Sequence, residues 1–309
     1  MKNNIQNLKT ENAICYSGYR TGQSPITQIY PSYEEIKEDL MILSDNWKYI
    51  RLYDTTEHAR TALEVIRNEG FNLKVMIGVC LEAEVSNDKC PWGGFYSDEQ
   101  LNINKRANFE VMQSLIELAN EYPEIIFSVS AGNEATAEWT DHPVSVESII
   151  SYVRMIKEQI DQPVTFCENY IPWQEKLSEL VNEVDFISLH TYPLWEAVDI
   201  SHALDFTIEN YNSVKDKYPN KTIVITEAGW ATQSDGKAIP LQSANEDIQK
   251  EYVEYLTNWS RENNILTFVF EAFDEDWKGS HESNEPEKHW GLYTIDRKPK
   301  KFMKDQVIR

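Results

Sequence analysis

A chain of 309 residues, 41% hydrophobic and 12% aromatic, holds enough apolar material for one large core and falls within the size range of an eight-stranded α/β barrel. Its 29 Lys and Arg stand against 51 Asp and Glu, a net charge of −22, so its surface repels phosphate backbones and anionic headgroups and makes nucleic acid and membrane surfaces poor partners, while no stretch is long and apolar enough for membrane insertion. A neutral polymer is neither attracted nor repelled by such a field.

The chain opens on a polar stretch, Met1 to Glu11, without the apolar run of a secretion signal, and residues 1–12 read as an N-terminal extension. From Ala13 onward short apolar runs alternate with longer segments of helical period. In order, the spacing predicts a strand at 13–16, a helix at 33–45, a strand at 49–53, a helix at 58–68, a strand at 74–79 and a helix at 98–121. There follow a strand at 126–130, a helix at 144–159, strands at 164–167 and 186–189, a helix at 203–217, a strand at 223–226, a helix at 245–263 and a strand at 266–270. Ser32 and Ser97 stand where helix caps belong. Most of the strand runs are too uniformly apolar to have one wet face, so they read as parallel strands covered on both sides.

Strict alternation allows an open doubly wound sheet or a closed barrel. Eight strands favour the barrel, and the turn Tyr16 to Gly22 has no GxGxxG and leads into a Pro25 loop rather than a helix. With 11 glycines, 12 prolines and no low-complexity tract, no linker divides residues 13–309, which read as a single (β/α)8 TIM barrel. Cys15, Cys80, Cys90 and Cys167 make neither a disulfide framework nor a zinc pattern and read as core thiols, Cys80 and Cys90 being the one pair near enough in sequence to bridge.

In such barrels the working residues lie just past the C-terminal ends of the strands. There stand Arg51, Tyr53 and Asp54; Asn133 and Glu134; His190 and Tyr192; Glu227 and Trp230; Glu271, Phe273 and Glu275. Two of these junctions, on strands four and seven, place one glutamate each at the barrel mouth, the pair that glycoside hydrolysis requires. A single Glu among 51 acidic residues is ordinarily a solvated surface group. The neighbours change that reading: Asn133 supplies an amide for a sugar hydroxyl, and Trp230 a flat face for a pyranose ring.

Ser130-Ala131-Gly132-Asn133-Glu134 and Ile225-Thr226-Glu227-Ala228-Gly229-Trp230 resemble the acid/base and nucleophile motifs of glycoside hydrolase family 17, the β-1,3-glucanases and laminarinases. The segments 16–25, 50–54, 270–278 and 287–292 also resemble family segments, in family order. The resemblance implies a retaining β-1,3-glucanase acting on laminarin and its oligosaccharides, with Glu134 as acid/base and Glu227 as nucleophile, their carboxyl groups about 5–5.5 Å apart. It also implies that Glu275, Lys278 and Glu287 form an acidic-basic cluster beside the acid/base, and that the chain is secreted or periplasmic if trimmed and cytoplasmic otherwise.

Around the glutamates, Arg51 is placed either to keep Glu227 ionised or in a buried pair with Glu271, and Tyr192 to hydrogen-bond Glu227. His190 could donate to a sugar or fill the barrel top. Trp173, Trp195, Trp230 and Trp277 follow strands five to eight and are expected at the cleft rim; Tyr16, Tyr53 and Phe273 join them as substrate-binding candidates, while Trp47 and Trp259 belong to helix packing. The six histidines show no metal spacing, and no GxSxG elbow follows a strand, so neither a metal nor another cofactor is expected. The acidic loop residues Glu82, Glu84 and Asp88 read as solvated charge before they read as cation ligands. The expected partner is a neutral β-glucan, bound by a monomer. A transglycosylase with the same glutamates, or a silent glucan-binding barrel, fits the same fold.

Overall fold

The computed structural model describes Ile5 and residues 11–306. Eight parallel strands close on themselves in sequence order: β1 (Ala13–Cys15), β2 (Tyr49–Leu52), β3 (Lys74–Gly78), β4 (Ile126–Asn133), β5 (Val164–Asn169), β6 (Ile187–His190), β7 (Ile223–Gly229) and β8 (Thr267–Phe270), with β8 pairing back to β1. The expected barrel is therefore the observed one. Around it run α1 (Tyr33–Ser44), α2 (Glu57–Glu69), α3 (Asp98–Glu121), α4 (Val146–Lys157), α7 (Ile200–Lys217) and α8 (Glu246–Glu262), each within a few residues of its expected span. The short α5 (Tyr170–Glu175), α6 (Ser178–Glu183) and α9 (Lys301–Gln306) were not expected; six residues are too few to show a 3.6-residue period.

Local chemistry sets the helix starts. Ser32 caps α1 through the Glu35 amide, and Glu35 reaches back to the Ser32 amide at 2.8 Å, which satisfies two donors that the first turn leaves free. Ser97 caps α3 more simply, its hydroxyl accepting from the Gln100 amide at 3.2 Å.

The core has two parts. The larger packs barrel strands against the helices, with Ile14, Ile50, Ile77, Val129 and Ile225 facing Leu40, Leu63, Leu115, Val153 and Leu256. The smaller fills the barrel interior with Cys15, Met76, Cys167, Phe186 and Phe268, and Ile5 packs onto it. Part of the sequence assigned to an N-terminal extension thus contributes a side chain to the core; residues 1–4, 6–10 and 307–309 lie outside the described residues. All four cysteines are free thiols, and Cys80 differs from the expected core position in being exposed. Among the described residues, no helix is long and apolar enough to cross a membrane.

Candidate active site

Regular pairing breaks down at the C-terminal ends of three strands, between Ser130 and Asn133 on β4, Leu189 and His190 on β6, and Ile225 and Ala228 on β7. Such irregularities turn side chains away from the simple alternation of a strand, and here they bring Glu134, His190 and Glu227 together. On β4, Gly132 adopts φ +150° with Phe166 so close that a Cβ would lie 2.8 Å from its ring. Two residues on, Glu134 itself sits at φ +48°, a left-handed conformation that costs a residue with a side chain about 1–2 kcal/mol.

Neighbouring β5 holds that conformation in place. The Glu134 amide donates to Cys167 O at 2.9 Å, and the buried Glu168 carboxylate accepts from the Thr136 amide and hydroxyl at 2.8 and 2.7 Å and from the Asn169 amide at 2.7 Å. Burial and the nearby Glu134 charge push Glu168 up to about 7, although its three hydrogen bonds pull the other way. Sequence reasoning missed Glu168; its only signal was an acid at a strand end, which many structural acids share.

Glu227 lies in a cage. Arg51, buried on β2, donates to its Oε1 at 2.5 Å, Tyr53 donates to the same oxygen at 2.9 Å, and Tyr192 donates to Oε2 at 2.5 Å. The second arm of Arg51 donates to Asn133 Oδ1 at 2.6 Å, so one guanidinium ties the junctions of β4 and β7 together. Burial alone would raise the Glu227 carboxyl. The charges of His190 and Arg51 and the two phenols outweigh it and hold the group below its ordinary value. The alternative pairing of Arg51 with Glu271 does not occur.

His190 Nδ1 lies 2.9 Å from Glu134 Oε1 and 3.4 Å from Glu227 Oε2. Burial lowers the proton affinity of the imidazole, but Glu227, Cys167 and Glu134 more than reverse this and lift it to about 10. The ligand atoms of Glu134, His190 and Glu227 all lie within 4.8 Å of one another.

A second set of ionised groups follows β8. Lys278 sits 2.8 Å from both oxygens of Glu271 and 2.9 Å from Glu275. Glu271, expected only as an alternative partner of Arg51, is the main partner of this lysine. Burial raises its carboxyl well above the ordinary value despite the lysine, and burial likewise lifts the partly exposed Glu287 to about 7. Glu287 feels the charges of Lys278, Glu134 and Glu227, so this set adjoins the glutamate pair.

The aromatic candidates divide sharply. Trp195 and Trp277 are partly exposed, and so are Tyr53 and Tyr192 beside Glu227. Trp173 and Trp230 do not rim the cleft: Trp173 is fully buried with its Nε1 donating to Ser188 O at 2.9 Å, and Trp230 is buried against Tyr252 with its Nε1 donating to Ser243 O at 2.8 Å. Both indoles anchor the segments behind the strands, a role that a strand-end position alone does not distinguish from sugar stacking. Tyr16 and Phe273 are also removed from the surface. Tyr16 donates to Asp39 at 3.2 Å, and Phe273 lies under the Arg297 guanidinium, which pairs with the same Asp39 at 2.7 Å. These two rings line a structural ion cluster that locks the C-terminal segment to α1. Among the described residues, Glu82, Glu84 and Asp88 do not gather into a cation site; Glu84 accepts from Asn108 and Tyr152.

A family model for the BtgE/BtgC glycoside hydrolase domain matches residues 13–291. The glucan endo-1,3-beta-glucosidase btgC of Emericella nidulans is 24% identical over 285 residues, covering 85% of this chain and 40% of that protein. The chain spans about two fifths of the length of the btgC relatives it matches. The glucan 1,3-beta-glucosidase of Schizosaccharomyces pombe is 26% identical over 262 residues, with 80% of this chain and 74% of that protein covered. Among solved structures, an endo-laminarinase from Formosa Hel1_33_131 superposes with a TM-score of 0.84 at 26% identity, covering 99% of this chain and 89% of that one.

Proposed function

The chain belongs to the BtgE/BtgC glycoside hydrolase domain family, and from that premise we propose that residues 13–309 form a catalytic barrel that hydrolyses β-1,3-glucosidic bonds of a neutral β-glucan with retention of configuration. The observation that carries this reading is the pair Glu134 and Glu227, one carboxylate oxygen of each within 4.8 Å of the other, with Arg51, Tyr53 and Tyr192 donating to Glu227 and, among the described residues, His190 alone hydrogen-bonded to the Glu134 carboxylate. That spacing is close to the ~5–5.5 Å carboxyl separation of retaining glycosidases rather than the wider gap of inverting ones, and suits a covalent intermediate. The names of the relatives, glucan endo-1,3-beta-glucosidase and endo-laminarinase, supply the substrate class.

In this reading Glu227, kept ionised by Arg51, Tyr53 and Tyr192, attacks the anomeric carbon from the face opposite the leaving oxygen. The C1–O bond breaks, and the leaving oxygen takes the proton held by the Glu134–His190 pair, delivered through Glu134. Glu134, now a carboxylate, removes a proton from a water that attacks the same carbon, the ester to Glu227 breaks, and the β-configuration returns. Trp195 and Trp277 offer partly exposed rings for sugar faces, and Asn133 an amide whose oxygen is already committed to Arg51.

Azide rescue tests both roles at once. Glu227→Gly should abolish hydrolysis, and azide should restore slow turnover of an activated β-glucoside as the α-glycosyl azide. Glu134→Gly should spare substrates with good leaving groups and yield the β-azide. Azide products with exchanged configurations, or an inverted anomer from the unaltered protein, would overturn the assignment. Chromatography of laminarin digests separates hydrolysis, which shortens the chains, from transfer, which also produces chains longer than the input.

A further inference from the structure

Seven of the nine tryptophans are buried or partly buried; Trp92 and Trp139 are exposed, at 65% and 40%, and Phe95 at 72% is the most exposed aromatic residue among those described. All three lie on two segments, the one between β3 and α3 and the one between β4 and α4. These emerge from the C-terminal ends of the strands, the same face that holds Glu134 and Glu227.

The two segments are bound into one unit. Asn87 Nδ2 donates to Glu138 O at 2.9 Å and to Thr140 O at 2.8 Å, Tyr96 donates to Asp141 O at 2.6 Å, and Lys89 pairs with Glu138 at 2.6 Å. The Glu84 amide donates to Pro143 O at 2.9 Å. Within the first segment the Asn87 amide donates to Gly94 O at 2.7 Å over the buried Cys90, so the backbone that carries Trp92 and Phe95 is closed on itself. Trp139 follows Glu134 by five residues, which limits their separation to about 18 Å even for fully extended chain.

Large rings held in water on a tied framework leave apolar area that a ligand could cover, and clustered exposure of this kind marks binding surfaces. The charges around them, Asp88, Glu138 and Asp141 against Lys89, repel an anionic partner. An uncharged sugar chain meets no such barrier, and its C–H faces stack on aromatic rings.

We propose that Trp92, Phe95 and Trp139 form a stacking platform that holds the β-glucan chain beyond the bond being cleaved, so that the protein favours long chains over short ones. The proposal rests on the hydrolase reading for its choice of ligand. Its test compares Trp92→Ala/Trp139→Ala with the unaltered protein on laminaritriose, on long unbranched β-1,3-glucan, and in sedimentation with insoluble β-1,3-glucan. The expected result is a loss of about tenfold or more in kcat/KM on the long chain and in binding to the insoluble one, with laminaritriose changed by no more than about twofold. Trp92→Phe/Trp139→Phe, which keeps smaller rings, should recover part of the loss.

Equal losses on short and long substrates would overturn the platform, as would unchanged affinity for the long chain. Dissociation of a dimer by the double substitution, with glucan binding intact, would make the patch a self-association surface instead. If the unaltered protein cleaved neither substrate yet bound insoluble β-1,3-glucan through these rings, the hydrolase reading would fail and the platform would stand.

Discussion

Glu227 at the end of β7 and Glu271 just past the end of β8 occupy neighbouring strand ends, both out of water, and burial pushes both toward the protonated form. Their partners separate them. Two cations, Arg51 and His190, and two phenols serve Glu227, whereas Glu271 shares the single ammonium of Lys278 with Glu275. Glu227 is consequently held below its ordinary value and Glu271 well above it. The state of a buried carboxylate is set by the ratio of cations and donors to acids around it, not by depth.

Removing the guanidinium is the most direct way to break the contrast. In Arg51→Met the Glu227 carboxylate loses the donor at 2.5 Å and Asn133 loses its tie to β7. Stripping one partner from a buried ion pair costs about 3–5 kcal/mol. We expect kcat/KM on laminarin to fall by about a thousandfold or more, with a lowered melting temperature. Arg51→Lys keeps the charge but not the two-armed geometry and should lie between the two. Near-normal turnover in Arg51→Met would show that His190 and the tyrosines suffice to keep Glu227 ionised.

Much of this was legible in the sequence, and the reasons are specific. All eight strands of the barrel announce themselves because a strand covered on both faces must be uniformly apolar, and the glutamate pair because its motifs sit at the ends of two such strands. The sequence places Tyr192 on Glu227, where it lies, whereas it leaves Arg51 open between Glu227 and Glu271, and Arg51 pairs with Glu227. What strand-end position cannot reveal is whether a side chain turns toward the cleft or behind it. Trp173 and Trp230 turn behind, Tyr16 and Phe273 join the Asp39 cluster, and the exposed Trp92 and Phe95 sit in a loop with no strand to index them. Glu168 escaped because its work is done on the backbone of its own neighbour Asn169 and of Thr136, 32 residues away in sequence just past β4, and a contact across that distance leaves no mark in the local pattern.

The Lys278 side of the comparison can be sharpened by pH. Glu287 and Glu168 have folded values near 7, above the ordinary 4.5 of a glutamate. A carboxyl whose value rises on folding favours the folded state while both states are protonated, and that contribution is lost as pH climbs through the folded value. Stability measured by urea denaturation should therefore decline between about pH 4.5 and pH 7 through these two groups. Lys278→Met removes the charge that opposes the upward shifts of Glu271 and Glu287 and should steepen that decline, with kcat on laminarin reduced about tenfold at pH 7. A flat stability profile in the variant would mean that these acids ionise without the lysine.

The smallest expected effect is none at all, and it concerns the Glu227 side. Two carboxylates and an imidazole within 4.8 Å resemble a cation site, since each can offer one ligand atom. The protons and cations already present argue otherwise. His190 would bind a divalent ion only as the neutral imidazole, yet its surroundings lift it to about 10 and leave it charged at neutral pH. A metal ion at Glu227 would also lie against the Arg51 guanidinium and compete with Tyr53 and Tyr192 for the same two oxygens. Treatment with EDTA should leave kcat on laminarin unchanged, and added Zn²⁺ should inhibit, if it acts at all, by displacing the proton of His190. Loss of turnover on chelation, restored by one particular divalent ion at constant folding, would show that the cage around Glu227 is completed by a metal and that its two protein cations are not what keeps the carboxylate ionised.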